Sequence, residues 1–203
     1  MSQKILEQSE ESLCCPGQRP RDRIVVTARD LFHRHGINTI GVDTIAKVAG
    51  TNKMTLYRHF GSKDDLIVEC LRAAEIDNQA RWAQLEAEHP GDAHAQLLSW
   101  VGKCADYIEA DNRGCEFANA AVELSGEDHP ARRLVEEFKK RHRDRLALLC
   151  REAGLDQPDL VADTLHLLLE GARVSRQSAG PEGPSARFVR MAEGVIASFG
   201  KTA

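Results

Sequence analysis

The stretch Gly41 to Leu66, GVDTIAKVAGTNKMTLYRHFGSKDDL, decides how this chain folds. Val42, Ile45, Ala46 and Ala49 recur at helical spacing and mark a short helix that ends at Gly50, where a residue without a β-carbon suits a sharp turn. A second short helix follows from about Lys53 to Phe60. Leu56 and Phe60 point inward from it, which leaves Lys53, Tyr57 and Arg58 to the outside. Ser62 and Asp65, just ahead of Leu66 and Ile67, form the capping signature of a third helix, worth about 1 kcal/mol. Helices shorter than about 12 residues are marginal alone in water, so the first two must be held by packing. The support is the preceding helix, from about Arg21, whose Ile24, Ala28, Leu31 and Phe32 form one apolar face. It stops at His35-Gly36, where glycine can take a left-handed cap.

Outward from this core the pattern stays helical. The helix opened by Ser62 runs to about Glu88, where His89-Pro90-Gly91 breaks it, and others are expected at 93–110, 116–124, 131–153 and 158–178. Gly180-Pro181-Glu182-Gly183-Pro184 is a loop, and Phe188, Met191, Ala192, Val195, Ile196 and Phe199 stripe a last helix. No strand alternation and no repeat occurs. The fold class is all-α, an N-terminal three-helix unit followed by a larger helical body, with about nine helices in total. The expected organisation is an arm over 1–20, ending in Pro16, Gly17 and Pro20, a first domain over 21–65 and a second over 66–203.

Composition narrows the partners. Among 203 residues, 42% are hydrophobic and 29% charged, an ordinary globular balance, and no apolar run nears the ~20 residues that span a bilayer. The opening MSQKILEQSEESLCC has no apolar centre of a secretory signal, so a cytoplasmic location and no membrane partner are expected. The six cysteines lack paired spacing, and reduced thiols follow. Net charge is −4, unevenly spread: residues 19–65 hold nine Lys and Arg against five Asp, a surplus of +4. A basic block on an acidic body is the footprint of one end that meets phosphate.

The run Leu56-Tyr57-Arg58-His59-Phe60, followed by Ser62-Lys63 and a long helix, with Ala28 to Phe32 and Gly36 ahead of it, resembles the TetR family of transcriptional regulators over the front third of the chain. The resemblance implies a helix-turn-helix that binds a double-stranded DNA operator. Lys53 would hydrogen-bond a guanine edge and Met54 would touch a thymine methyl in the major groove. Tyr57, His59, Lys63 and Thr55 match positions that family members use on backbone phosphates, contacts that position without specifying. The free N–H groups opening the helix at Lys63 favour phosphate as well. One departure is Gly41, where the family has Ser or Thr; whether Thr44 takes over that phosphate contact stays open at this level.

For the body, the resemblance implies a homodimer through the last two helices, an inverted-repeat operator, and a small-molecule effector that relieves repression by moving the helix after Ser62. A pocket is expected between the helices at 93–110, 116–124, 131–153 and 158–178. Its candidate liners are Trp100, Cys104, Tyr107, Phe117, Glu123, His166, Glu170 and Arg173, aromatic bodies with a few polar groups. His166 and Glu170 lie one helical turn apart, an intrahelical pair by preference, or one that orients a ligand or holds a metal. No metalloprotease, P-loop, nucleophile-elbow or dinucleotide motif is present, so no catalytic residue, metal or cofactor is expected. Two other readings compete: a thiol sensor using Cys104 and Cys115, and a protein-interaction module with a vestigial DNA motif.

Overall fold

In a computed structural model the described residues are 19–200, apart from Ser125 and Glu127. Among them are nine α-helices, one 3-10 turn and no strand. The helices are α1 (Pro20–His35), α2 (Val42–Val48), α3 (Lys53–Phe60), α4 (Lys63–Glu88), α5 (Ala93–Ala110), α6 (Glu116–Glu123), α7 (Pro130–Glu152), α8 (Pro158–Ala179) and α9 (Phe188–Ser198), with the 3-10 turn Pro184–Arg187 before α9. The arm expected over 1–20 lies outside the described residues except for its end. There Arg19 is already the N-cap of α1 and Pro20 its first residue, a position that suits proline because no N–H is needed.

The chain divides into two compact units. The first contains the described residues up to Ile76 together with Glu116–Glu136; the second contains Asp77–Cys115 and the chain from Glu137 onward. The unit boundary inside α4 follows its apolar pattern. Leu66, Ile67, Cys70, Leu71 and Ala74 are buried in the first unit, then Ile76 and Asp77 are exposed, and Trp82 and Leu85 are buried in the second.

In the first unit α1 packs on α2 and α3. Ile24, Leu31, Ile45, Leu56 and Leu66 are fully buried there, each contributing roughly 1.5–3 kcal/mol of burial. Gly50, at φ 63°, turns the chain between α2 and α3. Ser62 caps α4 as its sequence suggests: Asp65 N–H donates to Ser62 Oγ at 3.0 Å, and Ser62 Oγ–H donates to Asp65 Oδ2 at 2.6 Å. Gly36 has the expected positive φ, 88°, but an extended ψ of 147° rather than a left-handed helical one. The chain leaves α1 straight, past Glu123, and a β-carbon on Gly36 would come within 3.1 Å of Glu123 Oε2.

In the second unit α9 packs on α5 and α8 around Leu97, Val101, Leu165, Leu169, Phe188, Ala192 and Ile196. At its centre His142 on α7 lies among Trp82 (ring centres 5.6 Å apart), Trp100 (6.3 Å), Phe138 (6.0 Å) and His166 (5.8 Å), and its Nδ1 is buried with no hydrogen-bond partner. Burial pushes this imidazole down to about 3, aided by His166, Arg173 and Lys139, while Glu170 opposes. It is therefore neutral in the folded state. Between the ordinary histidine value and about 3 the unfolded chain binds a proton that the folded chain refuses, so stability falls as pH drops through that window and is fully present above it. Urea unfolding should show a loss between pH 7 and pH 5, approaching about 1.4 kcal/mol per pH unit for one such proton, and His142→Phe should flatten that dependence. An unchanged slope in the variant would remove His142 as its source.

Candidate nucleic-acid interface

The outer face of α3 is built by its ends. Asn52 caps it, its Oδ1 accepting from Thr55 N–H at 2.8 Å, and Leu56 and Phe60 bury the inner face. Met54 is 82% exposed and Tyr57 40%, and Lys53, Arg58 and His59 are exposed beside them, with Thr55 partly buried. The ring of His59 lies 6.2 Å from that of Phe60. Lys53, Met54, Tyr57 and Arg58 thus share the solvent side of one short helix. Thr44 sits half-buried on α2 next to it.

Two features are not visible in the sequence. Lys53 Nζ bonds Asp43 Oδ2 at 3.1 Å, across from α2. Both side chains are more than half exposed, so this pair is worth about 0–1 kcal/mol and yields readily to a better partner. Lys63 differs. Its Nζ donates to the Ile37 carbonyl at 2.6 Å and stands 5.7 Å from the Phe32 ring centre, so the side chain folds back over the unit. Burial lowers its pKa, with Asp64 and Glu123 acting in the opposite sense.

Helix α6 also belongs to this unit. Arg29 Nε donates to Glu116 Oε1 at 2.9 Å and Oε2 at 3.1 Å; Asn38 N–H donates to Glu123 Oε2 at 3.0 Å, and Asn38 Nδ2 to the Glu123 carbonyl at 2.9 Å. Phe32, Ile37, Ile67 and Leu71 line a cavity of about 360 Å³, mouth included, beneath these bonds. This corrects the sequence-based pocket. Phe117 is buried in the first unit, and Glu123 lines the cavity there, because the bonds to Arg29 and Asn38 hold α6 against α1. Trp100, Cys104, Tyr107 and Arg173 do converge, in a separate cavity of the second unit whose walls come from α4, α5, α7 and α8. His166 stands beside that cavity through His142, and the Glu170 carboxylate goes to Lys139 at 2.9 Å and Arg173 at 3.2 Å. Arg58, Asp43, Arg29 and Asn38 were not among the expected site residues. Arg58 was legible as an outer basic position on α3, whereas the others depend on contacts remote in sequence.

Among the described residues Cys70, Cys104, Cys115 and Cys150 are free thiols. Burial pushes Cys104 up to about 12 and Cys150 up to about 11, so both stay protonated near neutral pH.

Residues 24–70 match the family model described as bacterial regulatory proteins, tetR family. The structure superposes on a TetR-family transcriptional regulator from Streptomyces coelicolor with a TM-score of 0.83 and 30% sequence identity, over 90% of this chain and 96% of that one. The chain belongs to the TetR family. As a TetR-family member it is also similar to two curated relatives. It is 30% identical over 99 residues to the HTH-type transcriptional activator FasR of Mycolicibacterium smegmatis, covering 49% of this chain and 45% of FasR. It is 34% identical over 62 residues to the HTH-type transcriptional regulator QacR of Staphylococcus aureus, covering 30% of this chain and 33% of QacR. The chain thus spans less than half the length of either of these two relatives. No helix among the described residues is long and apolar enough to cross a membrane.

The contrast between the folded-back Lys63 and the solvent-facing Met54 is measurable. Lys63→Ala should lower stability by about 1–2 kcal/mol, through loss of the Ile37 bond and of stem packing, and Met54→Ala should change it by less than about 0.5 kcal/mol. Thermal melts of the two variants check this, and equal melts would mean that the Lys63 bond is not formed in solution.

Proposed function

We propose that this chain is a sequence-specific DNA-binding transcriptional regulator, a repressor that leaves an inverted-repeat operator when a small-molecule effector binds. The observation that carries the reading is the outer face of α3, where Lys53, Met54 and Tyr57 stand in solvent on a helix about 10–12 Å across, the width the major groove admits. Residues 21–65 would meet the duplex and 66–203 would sense and pair.

In this reading Lys53 exchanges Asp43 for a guanine edge, and Met54 packs on a thymine methyl. Thr44, Thr55, Tyr57 and His59 take phosphates beside the groove. Lys63 contributes in two ways: its ammonium steadies the turn after α1 through Ile37, and the backbone N–H groups at the start of α4 face a phosphate. Gly41 is the N-cap of α2 without a side chain to bond, and space is open around it.

Homodimerisation is supported by the exposed face of α8. Leu160, Leu167 and Val174, spaced by seven residues, are exposed, as are Val189 and Met191 nearby in sequence on α9. Gly171 and Gly194 are open on the same two helices, which suits close approach of a second copy. Two helices from each copy make a four-helix bundle and set two α3 helices on one duplex. Coupling to the effector runs through α4 and α7, which each pass from one unit into the other. A ligand that prefers one arrangement by about 1–3 kcal/mol is enough to shift occupancy 5- to 150-fold.

Footprinting on the DNA upstream of the chain's own gene should show protection of an inverted repeat. Lys53→Ala should cost about 1–3 kcal/mol there and relax preference at one base pair per half-site. Binding that is blind to sequence on every fragment would refute the assignment. Leu167→Glu should convert the dimer to a monomer in sedimentation and abolish operator binding while leaving the helical circular-dichroism signal in place; a dimer that survives would place the interface elsewhere.

A further inference from the structure

The cavity of the second unit has a wall chemistry that selects its occupant. It measures about 520 Å³, mouth included. Trp82 and Trp100 form a stacked pair on one side, ring centres 6.4 Å apart and planes 21° from parallel. Tyr107 has two guanidiniums over its ring, Arg81 at 5.4 Å and Arg173 at 5.2 Å. Aromatic walls alone suit either a flat ring or a quaternary ammonium.

The charges decide between them. Arg81, Lys103 and Arg173 all line the cavity, and among the described residues no carboxylate does. The acids that meet these cations lie outside the lining: Glu88 bonds Lys103, and Glu170 is shared between Lys139 and Arg173. His142, also in the lining, is held neutral by burial and adds no charge. Arg173 is the side chain with unfinished business. Its Nη1 donates to Glu170, but its Nε–H is buried without an acceptor, as is His142 Nδ1 without a partner. A buried polar atom left unpaired is costly, and the Arg173 Nε–H and His142 Nδ1, on two side chains that line one cavity, mark a place for a ligand's polar group.

We infer that this cavity binds a flat organic monoanion, a carboxylate carried on an apolar ring system, with the carboxylate on Arg173 and Arg81 and the ring against Trp82 and Trp100. This deepens the effector role proposed above and rests on that reading only for its regulatory meaning. Arg173, half-buried with its Nε shut off from solvent, takes the carboxylate through that N–H; Arg81, exposed, closes the mouth over it. A quaternary ammonium of the same size meets two like charges and is rejected. A neutral amide of the same ring fills the space but brings no charge to Arg81, and Arg173 keeps only the carboxylate of Glu170 that it shares with Lys139.

Trp82 and Trp100 are the only tryptophans of the chain and both line the cavity, so intrinsic fluorescence reports on it directly. The full chain is titrated with benzoate, phenylacetate and 2-naphthoate, and with 2-naphthamide and choline, by calorimetry and by tryptophan emission. At least one carboxylate should bind with a Kd below about 1 mM, the amide at least about tenfold more weakly, and choline not at all. Arg173→Gln should weaken the carboxylate at least about tenfold and Arg81→Gln, at an exposed position that the fold does not need, at least about threefold. The inference is overturned if no carboxylate binds, if 2-naphthamide binds as tightly as 2-naphthoate, if choline binds, or if Arg81→Gln binds like the parent. Gel shifts on the upstream DNA run in parallel separate the two readings: carboxylate binding without any effect on DNA would remove the effector role and leave the site, while release of DNA by choline alone would keep the regulator and remove this ligand class.

Discussion

Burial of Leu56 and Phe60 against α1 is the constraint from which the rest of the first unit follows. Eight residues of helix have no stability of their own in water, so α3 exists only because its inner face is removed from solvent by packing on α1 and α2. The same burial orients the helix. With Leu56 and Phe60 inward, helical geometry leaves Lys53, Met54 and Tyr57 no choice but the outer side. A polar residue at Leu56 would cost the helix its anchor and the outer face its aim at once.

Local chemistry and long-range packing divide the work on α3 and its neighbours. The caps are local: Asn52 on α3 and Ser62 on α4 satisfy N–H groups within three residues of themselves. The stiffness of the unit is not. Glu116 and Glu123 reach back across more than eighty residues to Arg29 and Asn38, and Lys63 reaches across 26 to the Ile37 carbonyl. Of these, the partly buried, charge-assisted Arg29–Glu116 and Lys63–Ile37 bonds are stronger than surface pairs such as Lys53–Asp43. The consequence is a helix that presents loosely held side chains from a tightly held frame, which suits the exchange of a protein partner for DNA proposed above.

The second unit solves a different problem. Its core is large and aromatic at one end, and the imidazole of His142 is accommodated there only in the neutral form. Arg173 Nε and His142 Nδ1, buried without partners, stand against the general rule that interiors satisfy their hydrogen bonds, and both side chains line the cavity. Stability and binding capacity therefore draw on the same few side chains of α4, α5, α7 and α8.

The sequence by itself determined the helices, nearly to the residue, because apolar spacing, Gly and Pro breaks and the Ser62 cap act within one or two turns. It determined the outward set on α3 for the same reason, and it named Trp100, Cys104, Tyr107 and Arg173 for a cavity that they do line. Only the tertiary structure decided that α6 belongs with α1, which takes Phe117 and Glu123 away from that cavity, that Lys63 folds back onto Ile37, and that Asp43 faces Lys53. Helical periodicity says which face of a segment is apolar but not which other segment covers it. Partners far apart along the chain are chosen by how whole faces fit, and a pattern of 3.6 residues carries no record of that choice.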